Sequence, residues 1–389
     1  MSVNNMSFEQ AATLLNAIQN QVTGTTNVTA TNVDEFISVA QKTIAAGYDP
    51  VLNAITQVVG RTIFSIRPYS SKLRSLIMDE QKWGAITRKL SISDQAWEDS
   101  QEFNLTDGQS VDMFSIKKPN LLQMNYYGAM VFQRHYTIFK DQLDNAFRGP
   151  DEFGRFMTMV TQNCLDIIEQ SHESIARLTI GNFIAGKITA NNGVIHLITE
   201  YNAETGESVT ATTVFYKDNI GPFTKWLFAR IDDLTNMMTQ RTGLYQIQVT
   251  GNEINRHSPL TKQKVYMYSK MLAEINARVK ADTYHDTYLE LSDVVSIPYW
   301  QGTDSRMEIN MLPTYLQADG TLTQPQTAVQ EQNVLGVIFD EEAMGQVIIN
   351  QWQASTPFNA AGGYWNMYYH YTERWFNDFT EKGLVLVLD

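Results

Sequence analysis

The chain has 389 residues, 43% of them hydrophobic and 18% charged, so it can bury a large core and wholesale disorder is excluded. Twenty-nine Lys and Arg against 42 Asp and Glu leave a formal net charge of −13, which disfavours tight wrapping of nucleic acid by the chain as a whole. Cys164 is the single cysteine, so an internal disulfide is excluded, and no stretch approaches the ~20 apolar residues of a membrane span. The first ten residues have neither a basic start nor an apolar run, so the expectation is a protein made and folded in a cytoplasm without a signal peptide.

Residues 1–60 read as an arm of three short helices. Ser7-Phe8-Glu9-Gln10 resembles a capping box ahead of Leu14, Leu15 and Ile18. Asp34 is the expected cap of a second helix through Phe36, Val39 and Ile44 that stops at Gly47, and Asp49-Pro50 opens a third through Leu52, Ile55 and Val59. Short helices in series have little core of their own and need another surface, for which a neighbouring subunit is one candidate.

From Arg61 to Leu90 the charge changes sign. Arg61, Arg67, Lys72, Arg74, Lys82, Arg88 and Lys89 face only Asp79 and Glu80, a local +5 that leaves −18 for the rest. Such asymmetry within one chain marks an interaction surface, and these seven cations are the candidate contacts between subunits. Acidic surfaces at Asp340, Glu341 and Glu342, or at Asp151 and Glu152, are their expected receivers. The bland alternative is a solvated loop anchored by Phe64, Tyr69 and Trp83; no nucleic-acid-binding motif accompanies the charge. Leu90 to Gln123 is polar with a turn signal at Thr106-Asp107-Gly108, which predicts a long two-stranded excursion, and Met124 to Phe139 returns as an aromatic, apolar stretch.

Pro150 to about Gly186 is the longest pattern in the sequence. Gly149 serves as N-cap, Pro150 suits the first helical position, and Asp151 and Glu152 face the positive helix end. Phe153, Phe156, Met157, Val160, Cys164, Ile167, Ile168, Ser171, Ile175, Leu178 and Phe183 recur every three or four residues, so one stripe is buried while Arg155, Glu169, Glu173 and Arg177 point away. A rod of that length, roughly 50 Å, implies a flat or extended body with a spine, the shape of a shell-building subunit.

Lys187 to Lys217 is read as β because Asn192-Gly193 is a hairpin signal between apolar residues. Asn219 to Gly243 is predicted helical. Tyr245, Ile247 and Val249 alternate as a strand, Ser258-Pro259 opens a helix to about Val279, and Met307, Ile309 and Met311 alternate again. Val334 to Phe339 and Leu384 to Leu388 read as buried strands. The whole is of α+β class.

No phosphate-binding glycine loop, nucleophile elbow or His-Glu-x-x-His pair is present, so the expectation is no enzyme and no cofactor. Glu169 and His172 have the Glu-x-x-His spacing of di-iron helices. The only second copy to hand, Asp282-Thr283-Tyr284-His285, departs from the pattern, so no metal site is expected. His135, His196, His257 and His370 are scattered and read as surface or hydrogen-bonded core residues. The stretch Gly362 to Tyr371 is the most unusual in composition. Its aromatics form either a stacking platform for a glycan or nucleotide, or a strand with large rings on both faces, packed on the spine helix on one side.

At that stretch the sequence resembles a known family. Gly362-Gly363-Tyr364-Trp365-Asn366-Met367-Tyr368-Tyr369-His370, followed by an amphipathic segment and a final apolar strand, is similar to the C-terminal part of major capsid proteins of the phi 29 group of short-tailed phages. The order of parts is that of the Hong Kong 97-like capsid fold. The resemblance implies an N-terminal arm at 1–60 and an extended loop at 61–125. It implies a peripheral domain at 126–218 plus 358–389, carrying the spine helix, and an axial domain at 219–357. It also implies a virion shell of pentamers and hexamers around double-stranded DNA, built in the host cytoplasm with a scaffolding protein and a portal, without sequence-specific DNA contact and without a membrane. An encapsulin-like compartment shares the fold and is the alternative shell. The phi 29 protein carries a further immunoglobulin-like domain after this strand, whereas here Asp389 is the last residue, so the shell-forming part alone is expected. Some relatives of the fold join a loop Lys to an Asn of another subunit. Lys82, Lys89, Lys117 and Lys118 with Asn366 are matching residue types, and no crosslink is expected from types so common.

Overall fold

The computed structural model describes residues 8–24, 32–61, 72–77, 86–95, 100, 104–114, 116–282 and 294–389. The arm is three helices, α1 (Phe8–Thr23), α2 (Val33–Ala45) and α3 (Tyr48–Arg61). Asn32, not Asp34, caps α2: its side chain accepts from the backbone N–H of Glu35, while Asp34 falls in the first turn, facing the helix dipole. Gly47, at φ +113°, separates α2 from α3 as expected. The surface these helices need belongs to their own chain. Leu15, Ile18, Phe36, Val39, Leu52 and Ile55 share one core with Phe153 and Met157 at the start of the spine and with Trp365 and Met367. Phe36 meets Phe153 edge-on at 5.9 Å.

The excursion is a two-stranded antiparallel ladder, β1 (Ile86–Ile92) with β2 (Leu121–Tyr127), in register from Ile86↔Tyr127 to Ile92↔Leu121. β3 (Met130–Phe139) and the short α4 (Lys140–Ala146) then lead into the spine helix α5, Pro150–Thr189, of 40 residues and about 60 Å. It runs past Gly181 and Gly186 because those positions are where other elements come closest. A Cβ on Gly186 would stand 2.5 Å from the Phe379 ring, and one on Gly181 3.0 Å from Met311 Sδ. The buried stripe holds at Phe153, Phe156, Met157, Ile175 and Phe183, but Leu178 is exposed and Glu173 is buried. Of the residues expected to be solvated Arg155 is exposed, but Glu173 and Arg177 are covered beside Tyr299: Glu173 accepts from Arg177 at 2.5 Å, and Arg177 donates to the Tyr299 carbonyl. The side chain of Cys164 lies outside the described residues.

After the spine the chain departs from the predicted hairpin. Asn191 and Gly193 take positive φ, but only β4 (Val194–His196) is extended, and α6 (Leu197–Thr205) follows. β4 pairs parallel with the last strand, β14 (Gly383–Val387), so the turn serves a crossover contact rather than a local hairpin. Helix α7 (Lys217–Thr239) lies where periodicity placed it. Gln246, Ile247 and Val249 are buried but form no ladder, and the predicted helix from Ser258 begins as β5 (Gln263–Tyr268), turning helical only in α8 (Ser269–Asp282). Val265, Tyr266, Met267 and Tyr268 are all buried, a continuous apolar run that fits a central strand as well as a helix. β6 (Val294–Ile297), β7 (Ile309–Met311), β8 (Tyr315–Leu316), β9 (Leu322–Thr323) and β10 (Val329–Glu331) follow, then β11 (Val334–Asp340), β12 (Met344–Ser355) and β13 (Tyr364–Asn377).

Two sheets organise the body. One has the order β4-β14-β11-β5-β6. Alternate residues of its strands serve different cores: Val337, Phe339, Val385 and Tyr266 face the C-terminal half of α5, while Ile338, Leu384, Leu386 and Met267 face α6, α7 and α8. The other has the order β12-β13-β3 and lays one face on the arm and the middle of the spine.

Candidate functional site

The basic stretch and the excursion meet at the base of the β1–β2 hairpin. Lys89 is the β1 residue that turns inward. Its Nζ lies 2.5 Å from Glu381 Oε1, 3.0 Å from Asp378 Oδ2 and 3.2 Å from Glu342 Oε2, so one cation is held by two turns of the body. Burial opposes its charge, but Asp378 and Glu381 outweigh that and hold its pKa above the ordinary lysine value. Asp378 is fully buried and opposed by the same burial, yet Lys89 and the hydrogen bonds from Thr380 keep it below the usual carboxylate range. Glu381 goes the other way, raised by burial. Arg256 Nε adds a second cation 3.3 Å from Glu381. Further out, Arg241 reaches Asp94, the Asn255 N–H donates to Asp94 at 2.8 Å, and Asn120 donates to the Gly251 carbonyl. The base of the hairpin is thus fastened to its own body.

Its tip is exposed: every described residue from Asn104 to Asn120 is so, and among them Leu105, Val111, Met113, Phe114 and Ile116 are apolar, the last three at least 80% exposed. A free apolar cluster of this kind on an isolated chain marks a contact surface.

The other candidate cations divide. Lys72, Arg74 and Arg88 are exposed, whereas Arg67 and Lys82, with Phe64, Tyr69 and Trp83, lie outside the described residues, as does the side chain of Arg61. The acidic turn expected to receive a neighbour's basic stretch is engaged within the chain. Lys262 lies 3.0 Å from Glu341 and 3.7 Å from Glu342, Glu342 also meets Lys89, and buried Asp340 accepts from Ser258. That Lys89 closes on its own body carried no signal in spacing.

The motif stretch Gly362 to His370 enters β13, and its rings divide between two faces. Trp365 is buried, donating from Nε1 to Asp49 at 2.6 Å, and Tyr371 meets Ser171 on the spine at 2.5 Å. On the outer face Tyr364, Asn366, Tyr368 and His370 are half-buried. Trp352 stacks on His370 at 3.8 Å and Tyr368 on His135 at 5.3 Å, so these rings spend faces on each other and present mainly edges to solvent. That is poor geometry for a sugar or base platform, and the two-faced strand is what the structure shows. Gly363 has φ +65° in the turn that starts the strand.

His172 is buried with Nδ1 3.1 Å from both oxygens of Glu373, which also accepts from Gln346. Glu169 is half-buried, Thr283 to His285 lie outside the described residues, and among the described residues no group of three metal-ligating side chains assembles. A cleft of about 620 Å³ lies between α5 and the 299–311 segment, where Arg177 stacks on Tyr299 at 4.0 Å; it brings together no nucleophile with a base.

A profile of the Phi29-like phage major capsid protein family matches residues 12–378. The chain belongs to that family. Among solved structures, the capsid of Staphylococcus phage Andhra aligns with 84% of this capsid protein and 87% of its own chain, at 10% identity and a TM-score of 0.57. A chain from the structure of the head fiber and inner core protein gp22 of native bacteriophage P68 aligns over the same shares at 9% identity and a TM-score of 0.50. At such identities the likeness is one of fold, and the fold is the Hong Kong 97-like capsid fold. Among curated proteins there is no significant match.

Proposed function

We propose that this capsid protein forms the pentamers and hexamers of an icosahedral-type head enclosing double-stranded DNA, assembled in the host cytoplasm with a scaffolding protein and a portal. Residues 1–60 take the arm role and 61–125 that of the extended loop. Residues 126–218 with 358–389 form the peripheral domain, and 219–357 the axial domain. Because β4 and β14 enter one sheet with β5 and β11, these last two domains act as one body.

The observation that carries the reading is the hairpin: its base is fixed by Lys89 and Asp94 while Met113, Phe114 and Ile116 at its tip are at least 80% exposed. Burying Met113, Phe114 and Ile116 on a neighbour contributes about 1.5–3 kcal/mol per side chain, repeated at every subunit contact. Met113→Ser with Phe114→Ser leaves the melting temperature of the unassembled protein unchanged and abolishes particle formation. Particles of normal size from this variant contradict the role of the tip. Nuclease-resistant double-stranded DNA inside particles from infected cells supports a genome container, and a protein cargo in its place contradicts it.

A further inference from the structure

We propose that the outer edge of β3 pairs with the same edge of a second copy, the two strands running antiparallel about a two-fold axis at His135. The proposal rests on the shell reading in that it names which surface two copies share. β3 is ten residues long, keeps continuous register against β13, contains no proline, and carries one formal charge, Arg134. Natural sheets blunt such edges, and the opposite edge of this sheet is blunted. There β12 has a bulge between Ile348 and Asn350, Ile77 bridges to Gln346, and Ser355 meets Asn53 of α3 at 2.7 Å. Among the described residues no backbone pairs with the outer side of β3.

The strand is self-complementary about His135. In that register Val131 faces the partner copy's Phe139 position and Gln133 faces the Thr137 position, while on the other side of the sheet Arg134 faces Tyr136. Val131 and Phe139 are 65% and 49% exposed, so apolar surface is removed at both ends of the contact. The lone cation meets a ring rather than its own copy, which avoids opposed like charges.

The third observation is the row of rings on the outer face. It runs from Trp352 to His370 at 3.8 Å, His370 to Tyr368 at 6.3 Å and Tyr368 to His135 at 5.3 Å, all within 28° of parallel, and it ends at the free edge. A two-fold at His135 continues that row into the second copy and doubles a three-stranded sheet to six strands. A pair of ten-residue edges is smaller than the roughly 1,600 Å² of a self-sufficient complex, so the contact is weak: free protein makes it only at high concentration, and assembly makes it by holding copies side by side.

Cysteine pairing reads the register directly. Residues directly opposite in an antiparallel pair have β-carbons about 4.5–5.5 Å apart, close enough for a disulfide with small adjustment. His135→Cys therefore gives a disulfide-linked dimer on a non-reducing denaturing gel of oxidised particles, and Gln133→Cys with Thr137→Cys does the same. Gln133→Cys alone does not, its own copy lying four residues along, about 13 Å. The unsubstituted chain, with Cys164 only, is the baseline. Normal particles in which His135→Cys stays monomeric, or in which Gln133→Cys alone dimerises, overturn the pairing and leave the shell reading standing. If no particles form, the same gel on concentrated soluble protein decides: His135→Cys dimers uphold the pairing against the shell reading, and their absence sinks both.

Discussion

Lys187 is completely buried near the end of the spine, with Nζ 2.8 Å from the Tyr245 carbonyl, 3.1 Å from Asn192 Oδ1 and 5.6 Å from the centre of the Phe183 ring. Burial pushes its pKa down from 10.5 to about 7, and a neutral amine has two N–H groups for those two acceptors. The contact has a purpose: Tyr245 sits at φ +65°, a left-handed conformation costly for a bulky residue, and its carbonyl accepts from both Lys187 and the Gly383 N–H. Between pH 7 and 10.5 the unfolded chain holds a proton on Lys187 that the folded chain has released, so stability from this group rises with pH across that window. Urea melts at stepped pH check this: Lys187→Met removes the alkaline rise, and an unchanged slope contradicts the assignment. Lys89 has the opposite character, a charge kept by its partners. Lys89→Met leaves Asp378 buried without its cation and costs about 3–5 kcal/mol near pH 7. Because the folded pKa of Asp378 lies below the ordinary 3.8, the stability it supplies is complete above that pH and fades below it, so the deficit of the variant shrinks in acid. None of this was legible in the sequence, since Lys89 and Glu381 are 292 positions apart and nothing local distinguishes this lysine from Arg88.

At the scale of elements, periodicity served the helices and the fully apolar strands well. α5 starts at its capping signals, and β11 and β14 lie within a residue or two of where apolar runs placed them. It failed where a strand's partner is distant. β5 reads as part of a helix because its pairing with β11 and β6 lies far along the chain, and Asn192-Gly193 reads as a hairpin although β4 pairs with β14. The three N-terminal helices lie where their signals placed them, but what covers them, a core of their own chain where a neighbouring subunit was one candidate, was not legible, because a sequence shows that a helix has an apolar face and not what covers it. Deleting residues 1–47 uncovers Phe153, Met157, Trp365 and Met367, so the melting temperature of the unassembled protein falls sharply; an unchanged melt contradicts the shared core. Gly186→Ala gains up to about 1 kcal/mol of helix propensity and loses about 1–3 kcal/mol to overpacking against Phe379, for a net loss measurable by denaturant titration.

On the scale of the whole molecule, the motif of the aromatic strand and the order of parts disclosed the family, while the candidate interface was legible only as a change in charge. The basic stretch divides into Lys89, which fastens the hairpin inward, and Lys72, Arg74 and Arg88, which are exposed and which the proposed reading assigns to contact between copies. Exposed ion pairs contribute about 0–1 kcal/mol each, so their effect is felt through repetition and is screened by salt. Arg74→Glu with Arg88→Glu therefore makes assembly strongly salt-sensitive while the monomer's melt is unaffected, and normal empty particles that fail only to retain DNA assign these cations to the genome instead. The central claim is that copies of this chain close into a shell, and cryo-electron microscopy of the purified protein over rising concentration tests it most directly. The account predicts rings and closed particles with five- and six-fold clusters of subunits; a 44.2 kDa monomer at every concentration and ionic strength contradicts it.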